Sequence, residues 1–217
     1  MLPPTLRTSA VATPGRLSLP VLAASLLLAL TGCLSRPQLV RESFALTAVA
    51  SQPSTAASSA AANAILSLKT ITVAPLFEGK PFVYRTGEQT WEQDPYAEFL
   101  IPPARMLTES VRTSLRRSGI FRDVVEPGAL LGADRFAEIH VTELYGDFRP
   151  ATEPTAVLNL RCTLIRAGTK PEIQLQKEYV RRLPLPARTA PALANAWNDA
   201  LTQILADLAA DLAAQAR

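Results

Sequence analysis

Apolar residues along this chain recur with two different periods, and prolines and glycines mark where one gives way to the other. After Pro102-Pro103, Ala104, Leu107, Val111 and Leu115 step by three or four, while Arg105, Glu109, Arg112 and Arg116 fall on other faces. The spacing predicts an amphipathic helix of roughly four turns, opened by proline and closed at Ser118-Gly119 with Arg116-Arg117 against its carboxyl end. A second helix is predicted from Thr189-Ala190-Pro191 to the terminus, its stripe formed by Leu193, Trp197, Leu201, Ile204, Leu208 and Leu212. Between the two helices the period drops to two. Ala137, Ile139 and Val141 alternate with Glu138, His140 and Thr142 over 135–144, and the leucines of 155–167 share a face with Cys162. Over 171–183, Ile173, Leu175 and Tyr179 are expected to point inward, with Gly168-Thr169-Lys170 as a tight hairpin connection.

Earlier in the chain the strands are shorter. A first one is predicted over 42–50 and a strong one over 65–77, ended by Pro75. Phe82–Arg85 and a segment from Trp91 to Phe99 read as a hairpin or long loop, and 120–125 as a short strand. Strict alternation means one buried and one wet face, which marks an antiparallel sheet. Two amphipathic helices and a one-sided sheet bury their apolar faces only against each other. The expected fold is therefore an α+β two-layer sandwich, a mainly antiparallel sheet with both helices on one face.

The amino terminus carries a different kind of pattern. Arg7 and Arg16 precede a ten-residue apolar run, Val21–Leu30, which as a helix covers only about 15 Å and is too short to span a bilayer. Such a run behind a basic segment is what an export signal looks like. Leu30-Thr31-Gly32-Cys33 resembles the bacterial lipobox, in which the peptidase cuts before the cysteine and its thiol carries diacylglycerol. Residues 1–32 are thus expected to be a lipoprotein signal peptide, and 33–64 a lipidated segment with a polar tether, a short strand and a Ser/Ala-rich linker (51–63). Residues 65–217 are expected to form the folded domain. A coil of a few dozen residues reaches about 30 Å on average, which would keep the domain near its own membrane. Leu34 and Ser35, rather than aspartate, follow Cys33, and this resembles outer-membrane sorting.

Charge and composition narrow the functional classes. The leader holds two arginines and no acid, so the rest of the 217-residue chain carries 20 basic and 19 acidic side chains. That balance excludes the concentrated basic footprint of a nucleic-acid binder. Cys162 is the only other cysteine, so an acylated Cys33 leaves no intramolecular disulfide. His140, the single histidine, falls on the wet side of its strand, and neither a metal-ligand spacing nor a Gly-x-Ser-x-Gly turn accompanies it. No catalytic residues, metal or cofactor are expected, and the chain reads as non-enzymatic. One stretch stands outside the regular pattern: Phe82, Tyr84, Trp91, Tyr96 and Phe99 put five aromatics into eighteen residues of an aromatic-poor chain. These side chains either finish the core or, with Arg85, face a partner. Tyr84, Arg85, Trp91, Tyr96 and Phe99 are the candidate partner-binding residues.

The order of lipobox, apolar strand ending Val73-Ala74-Pro75-Leu76-Phe77, then FVYRTG, DPYAEFL and PARMLTESVRTSLRRSGIF, resembles the ABC-type transport auxiliary lipoproteins. The resemblance runs from about Ser67 to the last helix. Better-known members carry a Leu-Asp-Arg-Pro run where Phe77-Glu78-Gly79-Lys80-Pro81 stands here. The resemblance implies a lipid-anchored component on the periplasmic face of the outer membrane, serving a mammalian-cell-entry (MCE) type phospholipid transport system. Implied partners are an MCE-type periplasmic protein and, through it, an ABC permease and ATPase complex. Direct contact with phospholipid and homo-oligomer formation are left open. The competing expectation is an envelope-assembly lipoprotein supporting lipopolysaccharide or pilus export.

Overall fold

The computed structural model describes residues 41–47, 63–130, 132–149 and 152–215; Cys33, the leader and the Ser/Ala-rich segment lie outside them. Nine strands form one mixed sheet: β1 (Glu42–Phe44), β2 (Ile65–Leu68), β3 (Thr72–Val73), β4 (Pro81–Arg85), β5 (Trp91–Phe99), β6 (Asp123–Val125), β7 (Arg135–Asp147), β8 (Thr155–Arg166) and β9 (Glu172–Pro184). Helix α1 is Pro103–Ser118 and α2 is Ala190–Gln215. Both helices pack on the same side of the sheet and touch each other, which is the expected two-layer α+β sandwich.

Strand β7 organises the sheet. Along one edge it pairs antiparallel with β8 over its whole length, and β8 pairs antiparallel with β9. Along the other edge it pairs parallel with β2, β3 and β4 in succession. Strand β6 adds parallel to β2, β5 adds antiparallel to β4, and β1 adds parallel to β5. The long ladders are antiparallel and the short ones mostly parallel. Where one strand was expected over 65–77, the chain forms β2, β3 and a 3-10 turn at Pro75–Phe77. The break at Lys69-Thr70 lets Ile71 donate its N–H to Thr108 Oγ1 at 3.0 Å, so α1 takes a bond the ladder gives up.

The helix stripes close the core. Leu107, Val111 and Leu115 of α1 are at most 1% exposed, and the six predicted stripe residues of α2 are all at 0%. Gly119 takes φ +66°, the left-handed conformation that ends a helix, and its N–H donates to Arg116 O. On the sheet, Ala137, Ile139, Val141, Leu158, Leu160, Cys162 and Leu164 point at the helices. Burial pushes the Cys162 thiol up to about 12, which leaves it an inert apolar filler. The α1 carboxyl end is tied to β6 by Arg116, whose Nε and Nη2 donate to Val124 O at 3.0 and 2.7 Å.

Two bulges change which residues face inward. Val141 pairs with Leu160 but Glu143 with Asn159, so Thr142 is extra and Leu144 rejoins the core face with Leu158 while Tyr145 takes the outer face. Leu164 pairs with Leu175 but Ile165 with Ile173, so Gln174 is extra. Ile173, expected inward, is therefore 60% exposed on the outer face; a one-residue shift turns a side chain over. Leu175 and Tyr179 keep the expected side.

At Gly146 the sheet comes close to the side chains of α2 and β4. A Cβ there would lie 3.0 Å from Leu193 Cδ2, 3.1 Å from Tyr84 Cδ1 and 3.2 Å from Phe148 Cε1. Gly146→Val is expected to destabilise the domain by about 1–3 kcal/mol through overpacking, read from urea unfolding.

Candidate functional site

The aromatic stretch lies on β4 and β5, and the sheet's two faces divide it. Phe82 and Phe99 point toward the helices, where Phe82 meets Phe99, Phe44 and Trp197 at centroid separations of 4.7, 5.2 and 4.9 Å. Phe99 is 2% exposed and its ring belongs to the core. Trp91 takes the opposite face and packs edge-on against Tyr145 (4.9 Å) and Phe77 (5.8 Å), forming a small second core on the outer side of the sheet. Tyr145, which the β7 bulge turns outward, is 1% exposed beneath this cluster. Tyr96, by contrast, projects from β5 at 56% exposure. Asp94 shapes that projection by accepting the N–H groups of Tyr96 and Ala97 at 2.7 and 3.0 Å.

Tyr84 and Arg85 sit at the turn end of the β4–β5 hairpin. The Tyr84 hydroxyl donates to Asp94 Oδ2 at 2.5 Å, and its ring stacks on Phe148 at 4.7 Å. Burial, with Asp94 beside it, raises the Tyr84 phenol well above its ordinary value. The Arg85 guanidinium lies over Trp91 at 5.4 Å and donates to Glu88 O at 2.8 Å. Arg149 grips Asp147 through Nε and Nη2 at 2.9 and 2.6 Å and reaches Glu88 at 3.1 Å. Arg188 covers Phe148 at 5.2 Å and donates to its carbonyl. The result is a corner at the end of the sheet with an arginine over an aromatic ring on each face, Arg188 over Phe148 on the helix side and Arg85 over Trp91 on the outer side, the composition favoured at protein interfaces. Tyr84 lies with Phe148 on the helix side of the sheet at this end, Arg85 and Trp91 lie on the opposite face, and Tyr96 and Phe99 lie further along β5. Phe148, Arg149 and Arg188 were not singled out from the sequence. They come from the end of β7 and the loop before α2, and only the fold brings them to the hairpin.

The Arg149 guanidinium holds the Asp147 carboxyl below the ordinary aspartate value of 3.8. A carboxyl depressed in the folded state stabilises the fold fully above its unfolded value, and that contribution disappears as pH falls through the folded value. The domain is therefore expected to lose stability on acidification below about pH 4, and Asp147→Asn is expected to flatten that loss. Thermal melts from pH 6 to pH 2 check it.

Other chemistry is sparse. His140 Nδ1 lies 2.8 Å from Thr72 Oγ1 at the sheet surface. Among the described residues no group of three or more His, Cys, Asp or Glu side chains could hold a metal ion, and no helix is long and apolar enough to cross a membrane. The interface between helices and sheet is filled, with Trp197 at its centre, 0% exposed and donating its indole N–H to Val157 O at 3.1 Å.

Comparison with known proteins agrees with this architecture. The crystal structure of XCC0632 from Xanthomonas campestris is similar with a TM-score of 0.69 and 20% identity, covering 77% of this chain and 92% of that one. The protein CT253 of Chlamydia trachomatis aligns with a TM-score of 0.50 and 11% identity, over 70% of this chain and 99% of that one. An uncharacterized protein of known structure aligns with a TM-score of 0.60 and 15% identity, over 79% and 97%. At these identities the likeness is one of fold. No curated protein matches the chain. The family model for the ABC-type transport auxiliary lipoprotein component matches residues 44–209, which takes in all nine strands except the start of β1, and both helices up to the last turns of α2. The chain belongs to the family of ABC-type transport auxiliary lipoprotein components.

Proposed function

We propose that this chain is the lipid-anchored, partner-binding subunit of an MCE-type phospholipid transport system, held by acylated Cys33 on the periplasmic face of the outer membrane. Family membership supplies the transport role, and the lipobox supplies the anchor. The observation that carries the scaffold reading is the pairing of a filled helix–sheet interface with an arginine–aromatic corner on the surface. A domain whose layers are packed with side chains contributes a docking surface, and the lipid path belongs to its partners. In this reading, Tyr84, Arg85 and Trp91 with Phe148 and Arg188 meet the MCE-type protein, and the permease and ATPase connect only through it.

The test is recovery of the acylated chain from membranes with its native partners. Co-purification of an MCE-type protein, severalfold weaker with Arg85→Ala, is the expected result. Recovery of lipopolysaccharide or pilus export components in place of an MCE protein overturns the proposal. Arg85→Ala leaves the Trp91–Tyr145 contact seated, so a melting temperature near that of the parent separates loss of docking from loss of fold.

A further inference from the structure

The exposed large apolar residues of the described chain include a local group at the end of the sheet opposite the β4–β5 turn. Tyr96 (56% exposed), Leu100 (58%) and Ile101 (41%) follow one another from β5 into the start of α1. Strand β1 runs beside them: Glu42 pairs with Ala97, Phe44 pairs with Phe99, and Phe44 O accepts the N–H of Leu100. Cationic side chains border the group. Arg41 and Lys80 share the Glu98 carboxylate at 3.2 and 2.8 Å, with the exposed Glu42 beside them. Exposed Arg105 lines the same cleft as Ile101, together with Thr70, Glu109, Arg112 and Glu126. Glu109 and Glu126 in that cleft are taken up by Arg112, at 2.6 and 2.9 Å.

We infer that Tyr96, Leu100 and Ile101 form a membrane-contact patch that seats the domain on the lipid surface carrying its own anchor. The inference rests on the lipid-anchor reading of Cys33. Residues 34–41 are all the chain between that cysteine and β1, and a segment of this length spans at most about 30 Å even when fully extended. The Ser/Ala-rich segment adds no reach, because it follows β1, which is already paired into the sheet. The chain thus leaves the domain beside Ala97, and the bilayer lies within that distance of this edge. Apolar side chains with basic neighbours are what an anionic lipid interface accommodates, the rings and methyl groups entering the headgroup boundary while the cations stay at the phosphates. The arginine–aromatic corner lies at the other end of β5, about 20 Å from Ala97 along the strand, so seating the patch in the headgroups leaves the corner clear of them.

The acylated full chain, reconstituted into phosphatidylethanolamine–phosphatidylglycerol vesicles with brominated acyl chains, tests the patch. Leu100→Trp is expected to lose at least about half of its added emission to bromine quenching, and Glu88→Trp at the hairpin turn to lose none. Equal quenching of the two overturns the proposal. So does a Leu100→Trp signal that responds only when the co-purified protein partner is added, which would make the patch a protein-docking surface. Mass spectrometry of the mature amino terminus reports on the anchor separately. If it shows a bare cysteine, the same two variants are titrated with vesicles as the unacylated chain, and absence of saturable Leu100→Trp quenching overturns the patch as well.

Discussion

Trp197→Ala is expected to destabilise the domain by about 3–5 kcal/mol, enough to unfold a large share of a marginally stable protein. The indole is wholly buried and stands where both layers and the amino-terminal strand converge. It packs against Phe82 at 4.9 Å and Phe99 at 5.4 Å, and its N–H satisfies Val157 O within the β8 ladder. Alanine removes the contact area and leaves a carbonyl with one partner fewer in a dry site. Trp197→Phe keeps most of the volume and is expected to cost markedly less. Denaturant titration of both variants, with the slope unchanged from the parent, checks the ordering; a loss under 1 kcal/mol for alanine would show that the interface collapses around the gap.

Cys33→Ser is expected to move the protein from the membrane fraction to the soluble fraction almost completely. Each buried methylene contributes about 0.8 kcal/mol, so the two chains of the diacylglycerol that the lipobox implies would hold stably, whereas the exposed patch of three side chains gives only weak, reversible contact. Flotation of cell membranes followed by detection of the chain reads the outcome. Continued co-flotation of Cys33→Ser at the parental level would place the anchoring elsewhere.

Much of this fold is legible in the sequence because each helix and each long strand buries one face. The stripes Leu107–Val111–Leu115 and Leu193–Trp197–Leu201 needed no partner to be recognised, since their period is set by helix geometry alone. Gly119 announced its own role as a terminator. What periodicity does not encode is which strand lies beside which. The parallel pairing of β2, β3 and β4 on β7 is made of ladders two or three residues long, too short to leave an alternation to read. The bulges at Thr142 and Gln174 are likewise silent until register is known, and one of them reverses Ile173. The candidate site shows the same division. The aromatic density of 82–99 was visible, but its partition into core (Phe82, Phe99), outer cluster (Trp91), corner (Tyr84) and exposed projection (Tyr96) depends on pleat and bulge. Phe148 and Arg188 lie far from the hairpin in sequence, and no local pattern joins them to it.

The central position of β7 also governs when the protein can first hold together. Translation delivers β2, β3 and β4 well before the strand they pair with, and Leu66 has only the three-residue strand β6 beside it, in register at Val124, until Arg135 arrives. Until then the apolar segment Ile65–Leu68 lacks its long neighbour β7, and α2 is still to come. A nascent or partly exported chain that stops short of Asp147 would expose that segment to chaperones and proteases, and truncations ending before β7 are expected to be degraded, whereas the chain acquires protease resistance only once β8 and α2 have followed.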